Sequence, residues 1–199
     1  MVGGQDELVF DGGSFVVDSD GNIIHEASQF VEEVFSFDID LEIKDINTEN
    51  KLIINEKNSD LPSIESTKPL EELESMYSAL KLGLSDYVRK NKFKKVLVGI
   101  SGGIDSALTA TIAVDSLSSE NVIGVAMPSR FNPESSLKDA EALAKNLNIE
   151  LKTINIEETA EKFRELIGSN IDESLESVVK ENIQARIRGN ILMALSNQL

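Results

Sequence analysis

The eight residues Gly99-Ile100-Ser101-Gly102-Gly103-Ile104-Asp105-Ser106 are the part of this 199-residue chain best equipped to do chemistry. Three glycines let the backbone turn tightly and present N–H groups to an anion. Ser101 and Ser106 each add a hydroxyl donor. The segment falls between a predicted buried strand and a predicted helix, so the helix N-terminus contributes unpaired donors and the positive end of its dipole. Together these groups make a phosphate cradle without a formal positive charge. Asp105 is out of place there. A carboxylate about 4 Å from a phosphate charge costs roughly 4 kcal/mol at an effective dielectric near 20, and the helix dipole offsets only about 1 kcal/mol. A Mg²⁺ ion shared between carboxylate and phosphate oxygens reverses the sign. Asp105 is therefore expected to ligate magnesium; capping the helix is its alternative role. The loop is not a Walker A motif, since it lacks the Gly-Lys-Ser/Thr ending.

The elements that must hold this loop follow from periodicity. Leu70, Leu73, Tyr77, Leu80, Leu84 and Val88 recur at helical spacing up to about residue 90. Residues 95–100 are a short apolar run, 105–117 a helix and 121–127 a second buried strand. Asn132 is the expected N-cap of the next helix, with Pro133 at its first position. That helix runs to about residue 147, followed by a strand over 150–156 and a helix over 157–167. A last helix starts near residue 171 or 172. This alternation predicts an α/β fold, a partial doubly wound parallel sheet with helices on both faces. Three strands are few for such a sheet, and Leu199 ends a helix without a stop signal, so a fragment of a larger protein is expected.

The first third reads differently. Residues 7–10, 14–18 and 22–26 are strand-like and are separated by Asp-Gly-Gly and Ser-Asp-Gly-Asn turns. Residues 34–39 could add a further strand. So few strands cannot close a sheet alone. Residues 40–69 are polar and acidic with two prolines, and read as a linker carrying a short strand at 52–54. The expected division is a β-rich remnant over 1–43, a linker over 44–69 and an α/β domain over 70–199.

Composition narrows the partners. The net charge of -16 argues against nucleic acid or an anionic membrane. Residues 1–70 hold 16 of the 35 acidic residues but only 4 of the 19 basic ones, so a polyanion is easier to place in the remainder. No apolar run reaches the length of a membrane span, and no signal peptide is evident. The absence of cysteine excludes disulfides and a cysteine nucleophile on this chain, and fits a cytoplasmic setting. The single histidine, His25, is expected to be structural or at the surface, and Phe30, Phe35 and Phe37 to be core or interface.

The segment from Ser101 to Ser106 resembles the pyrophosphate-binding loop of the N-type ATP pyrophosphatases, whose domains have an adenine nucleotide alpha hydrolase-like fold and cleave ATP between its α and β phosphates. Two further segments look like those of NAD synthetases: Met127-Pro128-Ser129-Arg130 with Ser135-Ser136 and Asp139-Ala140, and Glu181-Asn182-Ile183-Gln184-Ala185-Arg186-Ile187-Arg188. Leu175, Val179, Ile183, Ile187 and Ile191 form an apolar stripe on that last helix, and Asn182 and Arg186, four apart, share a neighbouring face.

The resemblance implies that residues 99–106 hold ATP, with Ser101 and Asp105 serving the reaction, and that Asn182 contacts deamido-NAD. Arg186 and Arg188 have a solvated helix face as their alternative, and Arg130 either meets a phosphate or pairs with a carboxylate. Residues 2–12 resemble the late part of a nitrilase-like glutaminase domain, which implies the glutamine-dependent type, drawing ammonia from glutamine and assembling as a homo-oligomer when intact. The family's glutaminase triad of glutamate, lysine and cysteine is expected upstream of Met1, and its threonine-glycine-asparagine segment beyond Leu199, so the chain alone is expected to be nearly inactive. The alternatives are a GMP synthetase-like ligase and a nucleotide-binding module without turnover.

Overall fold

Val122–Ala126 is buried at every residue, as expected of a central parallel strand covered on both faces. The structure, a computed structural model, describes residues 1–36, 66–130, 133–168 and 176–199. In chain order its elements are β1 (Val2–Gln5), β2 (Leu8–Asp11), β3 (Phe15–Val17), β4 (Ile23–Glu26), α1 (Glu72–Lys90), β5 (Val96–Gly99), α2 (Ile104–Leu117), β6 (Val122–Ala126), α3 (Glu134–Leu147), β7 (Glu150–Thr153), α4 (Glu157–Ile167) and α5 (Glu176–Ser196). The strand order β5-β6-β7 follows the chain, and both pairings are parallel. The expected α/β architecture is therefore present. Bonds beyond the ladder, from Ile154 N to Ala126 O and from Ile156 N to Pro128 O, carry the pairing on toward residue 156.

Side chains alternate across β6 and separate two cores. Val122 and Ala126 join Ile100, Ala110, Ala113, Ala140 and Ala144 beneath α2 and α3. Val125 and Met127 join Ile156, Ala160 and Ile187 beneath α4 and α5. The expected stripe on α5 is the buried one: Ile183, Ile187 and Ile191 all pack into this second core.

Three local expectations need correction. Pro133 is the N-cap of α3, with an extended ψ of 144°, and the helix begins at Glu134. Proline holds φ but does not force helical ψ, so it tolerates this position as well; Asn132 lies outside the described residues. The N-terminal strands form two separate two-stranded antiparallel sheets, β1-β2 and β3-β4, and β1 was not anticipated. Of the expected strand at 34–39, Val34 and Phe35 are not in a strand, Ser36 makes an isolated bridge, and 37–39 lie outside the described residues. The expected strand at 52–54 and the start of the last helix lie outside them as well.

The reason β1 escapes notice is its contact with α1. A Cβ added to Gly4 would lie 3.0 Å from the Cα of Gly83, so the two backbones touch. There the N–H of Gly4 donates to Asp86 Oδ2 at 2.9 Å, and Lys90 Nζ donates to the carbonyl of Gly4. Asp86 is buried and also pairs with Arg89 at 2.7 Å. The Gly4 amide, first of all, and then Arg89 and Lys90 hold its carboxyl below the ordinary value of 3.8, against the opposing effect of burial. A lowered folded-state value stabilises the fold above 3.8 and loses that contribution as pH falls from 3.8 through the lower value. Asp86→Asn keeps an acceptor for Gly4 but cannot titrate. Urea midpoints measured across this range should therefore fall with acid more steeply in the parent chain than in Asp86→Asn.

Candidate functional site

The glycine loop begins where β5 ends and turns directly into α2. Gly102 has φ of +84°, a region that disfavours side chains. A Cβ there would lie 2.3 Å from the carbonyl oxygen of Ser136 and 2.8 Å from its Cα, so the loop is pressed onto the first turn of α3. Gly103 is the N-cap of α2 and supplies no capping side chain. The first intrahelical bond runs from Ala107 N to Gly103 O. The N–H groups of Ile104, Asp105 and Ser106 therefore precede the helical ladder and remain as donors.

The two serines close the loop upon itself. Ser106 Oγ donates to Gly103 O at 2.9 Å and accepts from Ser101 N at 3.1 Å. The hydroxyls lie 3.0 Å apart, so Ser101, whose Oγ accepts from Gly103 N at 3.2 Å, must be the donor to Ser106. Both hydroxyl protons are used within the loop, and each hydroxyl has to rotate to reach a phosphate. Asp105 is exposed in the first turn of α2. Its carboxylate makes no hydrogen bond or ion pair among the described residues, so it does not cap the helix.

A cavity of about 870 Å³ opens beside the loop. Gly99, Ile100 and Ser101 form one part of its lining; Met127, Pro128, Ser129 and Arg130 form another, with Lys138 of α3 and Arg188 of α5. It lies at the carboxyl ends of β5 and β6, where open parallel sheets take their ligands. Residues 102–106 do not line it. Arg130 pairs with carboxylates: Nε lies 3.1 Å from Glu157 and NH1 3.0 Å from Glu161. The backbone N–H of Arg130, followed by Arg164, holds the Glu157 carboxyl below its ordinary value, with burial opposing.

Asn182 and Arg186 are exposed on α5 and bonded to each other, NH1 of Arg186 lying 3.1 Å from Asn182 Oδ1. They share a face, as expected, but that face does not line the cavity. Arg188 does, and its guanidinium reaches the carbonyl of Met127 at 3.3 Å. Sequence spacing gave no special weight to Gln184 or Ser129, which meet in a buried bond of 3.0 Å. Both stand in the quoted segments, yet nothing local announces that they are partners. His25 is buried, with its ring 4.4 Å from that of Phe35. Among the described residues no three histidine, aspartate or glutamate side chains converge to hold a metal. No helix among them is long and apolar enough to cross a membrane.

Comparison with known proteins matches residues 76–199 to the family model described as NAD synthase. A glutamine-dependent NAD(+) synthetase from Thermotoga maritima is 44% identical over the whole of this chain, which spans 37% of that relative. The solved structure of the glutamine-dependent NAD+ synthetase of Acinetobacter baumannii, in complex with ADP, superposes with a TM-score of 0.78 at 33% identity, covering 99% of this chain and 35% of the other. An NH3-dependent NAD synthetase from Campylobacter jejuni gives 0.58 at 30% identity, over 65% of this chain and 54% of the other.

The Gly102 contact is open to a direct test. Gly102→Ala combines a left-handed backbone with a backbone clash and should cost about 2–4 kcal/mol in urea unfolding. Gly103→Ala meets only Ser101 Oγ, at 3.4 Å, and should cost less than about 1 kcal/mol.

Proposed function

We propose a ligase function on one premise: this chain belongs to the NAD synthase family. It spans just over a third of the Thermotoga maritima relative, and the reaction is that of the full-length parent protein. That reaction is the amidation of deamido-NAD to NAD with ATP, which is released as AMP and pyrophosphate, and with ammonia drawn from glutamine. The single observation that carries the reading is the open N-terminus of α2, its first-turn N–H groups delivered by a glycine loop beside a nucleotide-sized cavity.

The nicotinate carboxylate of deamido-NAD attacks the α-phosphorus of ATP, and the bond to the β-phosphate oxygen breaks. Negative charge grows on the departing pyrophosphate, where the N–H groups of Ile104, Asp105 and Ser106 are already oriented to receive it. Ser101 and Ser106, by rotating out of their mutual bond, add two hydroxyl donors. Ammonia then attacks the acyl adenylate, AMP leaves, and the amide remains. No covalent protein intermediate is needed, because positioning and charge stabilisation suffice.

A magnesium ion fits the Asp105 carboxylate, exposed and without a partner among the described residues, since this cation takes oxygen ligands from carboxylate and phosphate together. Asp105 would hold it together with the phosphates, and it would neutralise the polyphosphate charge. Asn182 and Arg186 are assigned to deamido-NAD, in keeping with an amide and a guanidinium bonded together on an exposed helix face. The parent is read as a cytoplasmic homo-oligomer acting on small molecules, and the 199-residue chain alone as turning over little.

In the full-length parent supplied with ATP, deamido-NAD and ammonia, AMP and pyrophosphate should appear in equal amounts with NAD. Asp105→Ala should lower kcat/KM by about 100-fold and raise the magnesium concentration needed for half-maximal rate. An unchanged magnesium requirement in that variant would remove Asp105 from the metal site.

A further inference from the structure

Helix α5 carries two polar pairs, each four residues apart: Asn182 with Arg186, and Gln184 with Arg188. At 3.6 residues per turn, Gln184 stands roughly 200° round the axis from Asn182. The first pair faces outward and the second faces the sheet. Gln184 is 9% exposed and Ser129, at the exit of β6, is 7% exposed. Gln184 Oε1 receives two donors, Ser129 Oγ at 3.0 Å and Arg188 NH2 at 3.3 Å. Arginine only donates, so the amide oxygen must face it, and the Ser129 hydroxyl is then a donor too. Arg188 also donates from Nε to the carbonyl of Met127. The segment from Met127 to Ser129 is thus tied to α5 at both of its ends, and all three of its residues line the cavity.

We propose that Ser129, Gln184 and Arg188 form a positioning bridge that fixes the cavity wall of residues 127–130 against α5, and that Gln184 sets the geometry with which the cavity receives ATP. This rests on the ligase reading above. An apolar side chain at 184 would serve packing as well or better, since a buried amide must first be desolvated. What the amide adds is a fixed direction for Arg188 and for the Ser129 backbone. A wall displaced by about 1 Å is enough to degrade a bound geometry. Gln184 acts through its neighbours and is a positioning residue. Its helix also presents the Asn182 and Arg186 face, so the bridge sets the distance between the two proposed substrate contacts.

The test uses the full-length parent with ammonia as nitrogen donor, so that glutamine hydrolysis plays no part. Gln184→Leu should raise KM for ATP about tenfold and leave KM for ammonia within about twofold. Gln184→Glu keeps two acceptor oxygens for Ser129 and Arg188, and should return KM for ATP to within about threefold of the parent. Ser129→Ala removes one hydroxyl, keeps the fold accessible if Gln184→Leu does not express, and should move KM for ATP in the same direction by about threefold. Equal Michaelis constants in all four proteins, or a fall in kcat alone that tracks a lowered Tm, would overturn the bridge and reduce Gln184 to a packing residue. A parent that releases no AMP and pyrophosphate would instead sink the ligase reading. The bridge would then be judged by the Kd for ATP, with the same tenfold weakening in Gln184→Leu expected and an unchanged Kd overturning it.

Discussion

Between Gly102 and the carbonyl of Ser136 there is room for a hydrogen atom and nothing larger. That contact brings the turn after β5 and the first turn of α3 together, and much of the site depends on it. It directs the chain into α2 so that three amides come before the helical ladder. It also sets the Ser136–Lys138 turn in the lining of the same cavity as Ser101. A side chain at residue 102 would separate the two turns, and the cradle and its cavity would no longer share a wall.

The proposed anion site in a chain of net charge -16 is less paradoxical than it looks. The donors are backbone amides and hydroxyls, whose partial charges act at hydrogen-bond range, whereas the excess of acidic residues is concentrated in the first 70 and is screened over about 10 Å at ordinary salt. The two carboxylates beside Arg130 are not spare. Glu157 and Glu161 are occupied by Arg130 and Arg164, which makes Arg130 part of the scaffold holding β6 to α4. Asp105 is the contrasting case, an acid left exposed and, among the described residues, unpaired beside the donors.

The order of strands and helices from residue 70 onward was legible because each element announces itself locally. Residues 122–127 are apolar without interruption, the mark of a strand covered on both faces, and Ile183, Ile187 and Ile191 repeat at the helical period. The glycine loop was legible for the same reason: Gly-Gly after an apolar run, followed by helix formers, can do little else. By contrast β1 was missed. Gly3-Gly4-Gln5 carries none of the residues that favour strands, and glycine is there because α1 comes within contact of its backbone.

Local chemistry in the sequence alone therefore determined the class of fold, the position of the glycine loop and the inward face of the last helix. Those properties depend on dihedral preference and on the period of apolar residues, both of which are read within a few positions. Only the tertiary structure decided which polar groups meet. Asp86 receives the amide of Gly4 across 82 positions, and Ser129 reaches Gln184 across 55. It also decided that the two loop serines spend their hydroxyl protons on each other's neighbourhood, and that Arg188 faces the cavity while Arg186 does not. Such pairings are set by how helices dock on the sheet, and no residue type or spacing along the chain encodes the partner that docking will bring.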